Sequence, residues 1–319
     1  MRLPLPSAAR KRLRRPAAVL TALAAASALL FAGAAPASAA TAQLPVRYSP
    51  LGGLLPSLTD PSSAPPGAND WNCRPGSAHP RPVVLVNGTF ANMRNNWDSL
   101  SPLLHNRGYC VYAFNYGGLA GNVIQSIGDI PTSAGQLSAF VDRVLAATGS
   151  SQVDLVGHSQ GGLLPRYYLN FLGGAPKVHS LVGLAPSNHG TTLDGLVTLA
   201  SAVNLLGLVN PLVSAACTAC IQQEVGSDFV RRMNAVPDTV PGVDYTVIST
   251  AYDAVVTPYR STFLAGSRVT NITLQDQCGW DFSGHVGIAF SPNALGAVLN
   301  ALDPAHAAAV PCTLYVPGL

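Results

Sequence analysis

The chain has 319 residues, 48 % of them hydrophobic and only 10 % charged, with a formal charge of +3. Six of its 18 Lys and Arg residues lie in the first forty positions, where there is no Asp or Glu, so the remainder carries 12 basic against 15 acidic side chains. A body with a net charge of −3 gives no support to a nucleic-acid partner.

In chain order, Arg2, Arg10, Lys11, Arg12, Arg14 and Arg15 precede an apolar stretch from Ala17 to Ala35, followed by Ala37-Ser38-Ala39. A basic region, an apolar region and small residues in that order predict a signal peptide over residues 1–40, removed on secretion. The apolar run is almost long enough for a membrane anchor, but Pro36 and the small-residue cleavage site argue against one. Arg14-Arg15 is followed at once by Pro16, so the export route stays open. Residues 41–319 suit a single α/β domain of roughly 280 residues.

All six cysteines, Cys73, Cys110, Cys217, Cys220, Cys278 and Cys312, fall in this exported part, and an even number outside the cell predicts three disulfides. Cys217-Thr-Ala-Cys220 lacks a second ligand pair at zinc spacing, so it reads as a small disulfide-closed loop, and no metal is expected. Residues 50–68, rich in Pro, Gly and Ser, are expected to wrap the surface.

Val83-Val84-Leu85-Val86 is a short, wholly apolar run ending in Asn87-Gly88, the pattern of a buried parallel strand delivering a loop. Cys110–Phe114 repeats it, Val153–Val156 is another buried strand, and further strands are predicted over Val178–Leu184, Tyr245–Ser249 and Val269–Leu274. Helices are predicted over Trp97–Leu104, Gln136–Ala147, Leu163–Phe171 and Asn293–Leu302. This alternation predicts a mostly parallel sheet with helices on both faces. Gly195 to Val209 is an apolar stretch too short to span a bilayer, either a buried helix or a small cap region over a pocket.

Gly157-His158-Ser159-Gln160-Gly161 matches G-x-S-x-G directly between a strand and a helix, the setting of a nucleophile elbow. Ser159 is the expected nucleophile, and it needs a base that is itself oriented by an acid, in the chain order Ser, acid, His. His158 stands beside the serine in the backbone and aims elsewhere; His179 and His189 leave no room for an intervening acid; His306 sits in an Ala-rich tail. His285, in the loop Phe282–Gly287, is the expected base. Asp253 follows a strand and is the expected acid, whereas Asp244 precedes that strand, and Asp276 and Asp281 are the competitors. The oxyanion donors are expected to be the Gln160 N–H and the Thr89 N–H, with the Thr89 hydroxyl as a further candidate. Asn87-Gly88-Thr89 is also a glycosylation sequon, discounted because a loop beside a pocket is a poor acceptor.

Three further blocks join these: Leu184–Thr192, Tyr252–Tyr259 and His285–Ala289. Together with Pro82–Phe90 and Asp154–Gly162 they resemble the secreted bacterial lipases of the lipase class 2 family, of the α/β-hydrolase superfamily, from about Asp70 to Cys312. The resemblance implies an α/β-hydrolase fold and hydrolysis of acylglycerols or related esters by a Ser159-Asp253-His285 triad. It also implies disulfides Cys73–Cys110, Cys217–Cys220 and Cys278–Cys312. It departs at Asn87, where such lipases usually carry His, which puts in question how the oxyanion loop is held. The expected partner is a lipid or ester substrate, met transiently at a lipid interface, by a monomer without a cofactor. A cutinase-like polyesterase, an acyltransferase and a non-catalytic extracellular binding protein are the rival readings.

Overall fold

The computed structural model describes residues 1, 43–205 and 217–317. The expected signal peptide and residues 206–209 of the apolar stretch lie outside them. The chain divides after Ala42, and Gln43–Leu319 forms one compact unit.

Along that unit run α1 (Leu54–Thr59), β1 (Val83–Val86), α2 (Met93–Asn96), α3 (Leu100–Asn106), β2 (Val111–Ala113), α4 (Ile130–Thr148), β3 (Val153–His158) and α5 (Gln160–Phe171). Then follow β4 (Val178–Leu184), α6 (Leu193–Leu205), α7 (Thr218–Gln223), α8 (Asp228–Asn234), β5 (Asp244–Ser249), β6 (Val269–Thr273), α9 (Leu274–Gln277) and α10 (Pro292–Leu302). The six strands form one sheet in the order β2-β1-β3-β4-β5-β6. Every neighbouring pair is parallel.

The apolar strands are buried on both faces because alternate residues enter two separate cores. Val84, Val86, Leu155, Leu181 and Val247 pack with Ile130, Leu137, Val141 and Val144 of α4 and Leu163 and Leu164 of α5. Val83, Leu85, Val156, Val182 and Ile248 meet Leu100 and Leu104 of α3 and Leu295 and Val298 of α10 on the other face. Each such side chain, fully buried, contributes about 1.5–3 kcal/mol.

Of the helix expected over Trp97–Leu104, only the part from Leu100 on is helical, and a separate short helix, α2, precedes it. Asn92 caps α2, accepting from the Arg94 and Asn95 N–H groups. A continuous helix would place Pro102 in its interior, where the ring clashes with a carbonyl one turn back; restarting at Leu100 puts Pro102 in a first turn. α4 begins six residues earlier than the apolar spacing indicates, because Asp129 caps it through the Thr132 N–H at 2.8 Å and Pro131 fits its first turn.

After β2 the chain crosses back to the far side of β1, so the β1 and β3 connections diverge. In an open parallel sheet the crevice at such a reversal, beyond the carboxyl ends of the strands, is where ligands bind. The loops after β1 and β3 carry Thr89 and Ser159. Disulfides join Cys73 to Cys110, Cys217 to Cys220 and Cys278 to Cys312. Among the described residues no helix is long and apolar enough to cross a membrane.

Candidate active site

Ser159 occupies the turn between β3 and α5 with φ 55° and ψ −125°, a conformation that costs a non-glycine residue about 1–3 kcal/mol. Its N–H donates to the Leu184 carbonyl at 2.9 Å, fastening the turn to the next strand. The flanking glycines are required by close approach. A Cβ on Gly157 would stand 1.9 Å from the Gly161 carbonyl oxygen, and one on Gly161 would stand 2.0 Å from the Val86 oxygen.

The side chain thus raised meets His285 from the loop before α10. His285 Nε2 is 2.8 Å from Ser159 Oγ, and His285 Nδ1 is 2.9 Å from Asp253 Oδ2. The second oxygen of Asp253 accepts the N–H groups of Val255 and Val256, both at 2.8 Å. All three side chains are buried. An imidazole between a carboxylate and a hydroxyl can take a proton from the hydroxyl while the carboxylate holds its tautomer.

The other candidates lie elsewhere. His179 pairs with Asp154 at 3.0 Å, His189 bonds Asn234 and the Phe263 carbonyl, and His306 pairs with Asp303 at 2.9 Å. Asp244, at the opposite end of its strand, pairs with Arg268 at 2.7 Å. Asp276 is exposed. Asp281 is buried, but its carboxylate takes the Ser283 N–H, the Ser283 and Ser291 hydroxyls and the Asn293 amide. It ties down both ends of the loop that carries His285.

His158 points away from Ser159. Its Nε2 donates to the His285 carbonyl at 2.8 Å, and its Nδ1 lies 3.1 Å from the Asn96 amide oxygen. Burial first, then the proximity of His285, pull its pKa down to about 3, so the ring is neutral near pH 7.

The loop after β1 packs directly on Ser159: a Cβ on Gly88 would lie 3.1 Å from Ser159 Cβ. Asn87, the departure from the family pattern, donates to the Ala91 carbonyl and to Ser126 Oγ, both at 2.7 Å, and so holds the loop from below. Gly88 N–H donates to Asn96 Oδ1 at 2.9 Å. Thr89 Oγ1 accepts from Gln223 Nε2 at 3.0 Å, and Gln223 Oε1 accepts from Ser187 Oγ at 2.8 Å. Asn96 and Gln223 lie outside the blocks read from the sequence, and Ser187 lies within Leu184–Thr192 with no role assigned to it there.

Beside His285, an isolated parallel bridge joins Asp281 to Tyr315. Period-two alternation turns those two inward and leaves Trp280, Phe282, Leu314 and Val316 exposed. Exposed Tyr252 extends the same face, its ring 5.8 Å from that of Phe282. In the apolar stretch after β4, Leu196 and Leu199 are buried and Val197 is exposed. A Cβ on Gly195 would stand 1.9 Å from the Val255 carbonyl, so α6 starts against the loop of Asp253. Among the described residues no group of three or more His, Cys, Asp or Glu side chains is arranged to hold a metal ion.

The family model described as lipase (class 2) matches residues 80–292. A triacylglycerol lipase of Pseudarthrobacter phenanthrenivorans is 42 % identical over 92 residues, covering 27 % of this chain and 27 % of that protein. One of Burkholderia plantarii is 42 % identical over 92 residues, covering 24 % of its own length. The chain thus aligns with about a quarter of these relatives. Aspergillus fumigatus lipase B superposes with a TM-score of 0.62 at 21 % identity, over 80 % of this chain and 60 % of that one. The mature form of Bacillus licheniformis lipase BlEst2 gives 0.52 at 16 % identity, over 72 % and 94 %. At such identities the likeness is one of fold, an α/β-hydrolase.

Proposed function

The chain belongs to the lipase class 2 family, and on that premise we propose that it is a secreted carboxylic ester hydrolase acting on acylglycerols through Ser159, His285 and Asp253. The observation that carries this reading is the continuous bonding from Asp253 Oδ2 through both ring nitrogens of His285 to Ser159 Oγ, at 2.9 and 2.8 Å.

His285 removes the Ser159 proton as Oγ attacks the ester carbonyl, and Asp253 stabilises the imidazolium that forms. The tetrahedral oxyanion receives the N–H groups of Thr89 and Gln160. As the C–O bond to the alcohol breaks, His285 returns its proton to the leaving oxygen. Water then attacks the acyl-enzyme carbonyl, losing a proton to His285, and collapse restores the Ser159 hydroxyl and releases the acid. Every proton is accounted for by one imidazole.

Three disulfides support an extracellular setting. The exposed face of Trp280, Phe282, Tyr252, Leu314 and Val316 supports contact with a lipid surface beside His285, since aromatic side chains suit the membrane–water boundary. The test is an alkylphosphonate probe on the purified protein, with the adduct mapped by mass spectrometry and turnover followed on p-nitrophenyl esters and emulsified triglycerides. Labelling at Ser159, lost in Ser159→Ala together with turnover, is expected; labelling at another residue refutes the nucleophile.

A further inference from the structure

We propose that Gln223 and Ser187 are positioning residues that turn the Thr89 hydroxyl into a third donor for the oxyanion. The inference rests on the assignment of Ser159 and the Thr89 loop given above, and deepens it.

Three protons, two on the Gln223 amide and one on the Thr89 hydroxyl, need a direction. Gln223 is buried at the end of α7. Its side-chain nitrogen lies 3.0 Å from the Ala219 carbonyl and 3.0 Å from Thr89 Oγ1. Its side-chain oxygen lies 2.8 Å from Ser187 Oγ. A carbonyl can only accept, so the Ala219 oxygen fixes which end of the amide is NH2: rotation would set two oxygens against each other. The Ser187 hydroxyl secures the same orientation by donating to the amide oxygen. With both amide protons directed by this geometry, one to Ala219 and one to Thr89, the Thr89 oxygen is an acceptor toward Gln223. Its own proton must leave in another direction.

Among the described residues no protein group accepts that proton. Thr89 is 5 % exposed, and the neighbouring Gly88 packs on the Ser159 side chain. A buried donor without a partner is costly, and the charge that develops on a carbonyl oxygen attacked by Ser159 is the partner it lacks. The hydroxyl is thus pre-oriented before substrate arrives, without reorganisation at the moment of reaction. α7 is itself fixed: the Ala219 N–H donates to the Ile127 carbonyl at 3.0 Å, and Gln222 bonds Asp129 at 2.7 Å.

The experiment is a double-mutant cycle between Thr89→Val, which removes the hydroxyl and keeps the N–H, and Gln223→Glu, which replaces the donor by an acceptor. The purified protein with its disulfides formed is assayed for kcat and KM on p-nitrophenyl butyrate, and for inhibition by an alkylboronic acid that forms a tetrahedral adduct. Each single variant should lose about a hundredfold in kcat and a matching factor in boronate affinity, with KM little changed. The double variant should be no slower than Thr89→Val alone, and Thr89→Ser should retain activity. Should Gln223→Glu fail to melt cooperatively, Ser187→Ala takes its place, with the same dependence on Thr89. Effects that multiply in the double variant, or that fall on KM, overturn the proposal. Wild-type kcat in Thr89→Val overturns it too, while phosphonate labelling of Ser159 in that variant leaves the active-site reading standing. Labelling elsewhere in the wild type refutes that reading instead.

Discussion

Replacing Asp253 by Asn tests the proposed triad at its most constrained point. The substituted amide can face two ways. With its NH2 toward Val255 and Val256, two backbone donors now held at 2.8 Å would lose their acceptor, at about 1–3 kcal/mol each. With its oxygen toward those donors, both stay paired and the NH2 faces His285 Nδ1. The second arrangement wins by several kcal/mol, and it forces Nδ1 to accept. The ring proton then sits on Nε2, 2.8 Å from Ser159 Oγ, where the base should be. An imidazole in the wrong tautomer loses about 10⁴ in turnover, or about 5 kcal/mol of barrier. The assay is kcat/KM on p-nitrophenyl butyrate near pH 7.5, alongside the rate of phosphonate labelling and a thermal melt. Asp281→Asn is the companion: its carboxylate accepts from Ser283, Ser291 and Asn293, so the change should lower the melting temperature without altering the tautomer of His285. A folded Asp253→Asn protein within tenfold of wild type would refute the reasoning, as would a 10⁴ loss in Asp281→Asn without loss of fold.

Other consequences are as direct. Gly161→Ala sets a methyl 2.0 Å from the Val86 carbonyl, so denaturant unfolding should show a loss above about 3 kcal/mol; an unchanged midpoint contradicts the close approach. His158, held near a pKa of about 3 by burial, stays neutral in the folded chain while the unfolded chain protonates below about 6.5. Stability from this residue is therefore lost as pH falls, by about 2 kcal/mol at pH 5. His189, raised by the Asp238 carboxylate 3.6 Å away, acts in the opposite sense, so the comparison must be between wild type and His158→Gln, whose unfolding should be less acid-sensitive. Removing Cys73–Cys110, which spans 37 residues, should cost about 4 kcal/mol by loop entropy, read as a fall in the guanidinium midpoint of the double-Ala variant.

Local pattern was enough for the strands and the elbow. Val83–Val86 and Val178–Leu184 have the predicted bounds, because short runs dominated by apolar residues and closed by turn residues leave little choice of register. Ser159 was legible because its strand, its glycines and its helix are contiguous. The break between α2 and α3 was missed, since the apolar spacing of Trp97–Leu104 runs through it and only Pro102 opposes it. What remained hidden is long-range. Gln223 lies 134 residues from Thr89, and Tyr315 pairs with a segment that shares no periodicity with it. Position after a strand favoured Asp253 over Asp281 in the sequence, but which donors surround each carboxylate was not visible there. The Asn87 departure was visible, but its bonds to Ala91 and Ser126 were not.

Ser159 and His285 are 126 residues apart in the chain, and Asp253 and the loop that carries the imidazole are made after the elbow. A polypeptide growing from its amino end therefore carries the Ser159 hydroxyl through more than a third of its synthesis before its proposed base has been added. If the proposed triad is the catalytic one, a centre divided in this way would stay silent on the ribosome until the last stretch has been joined.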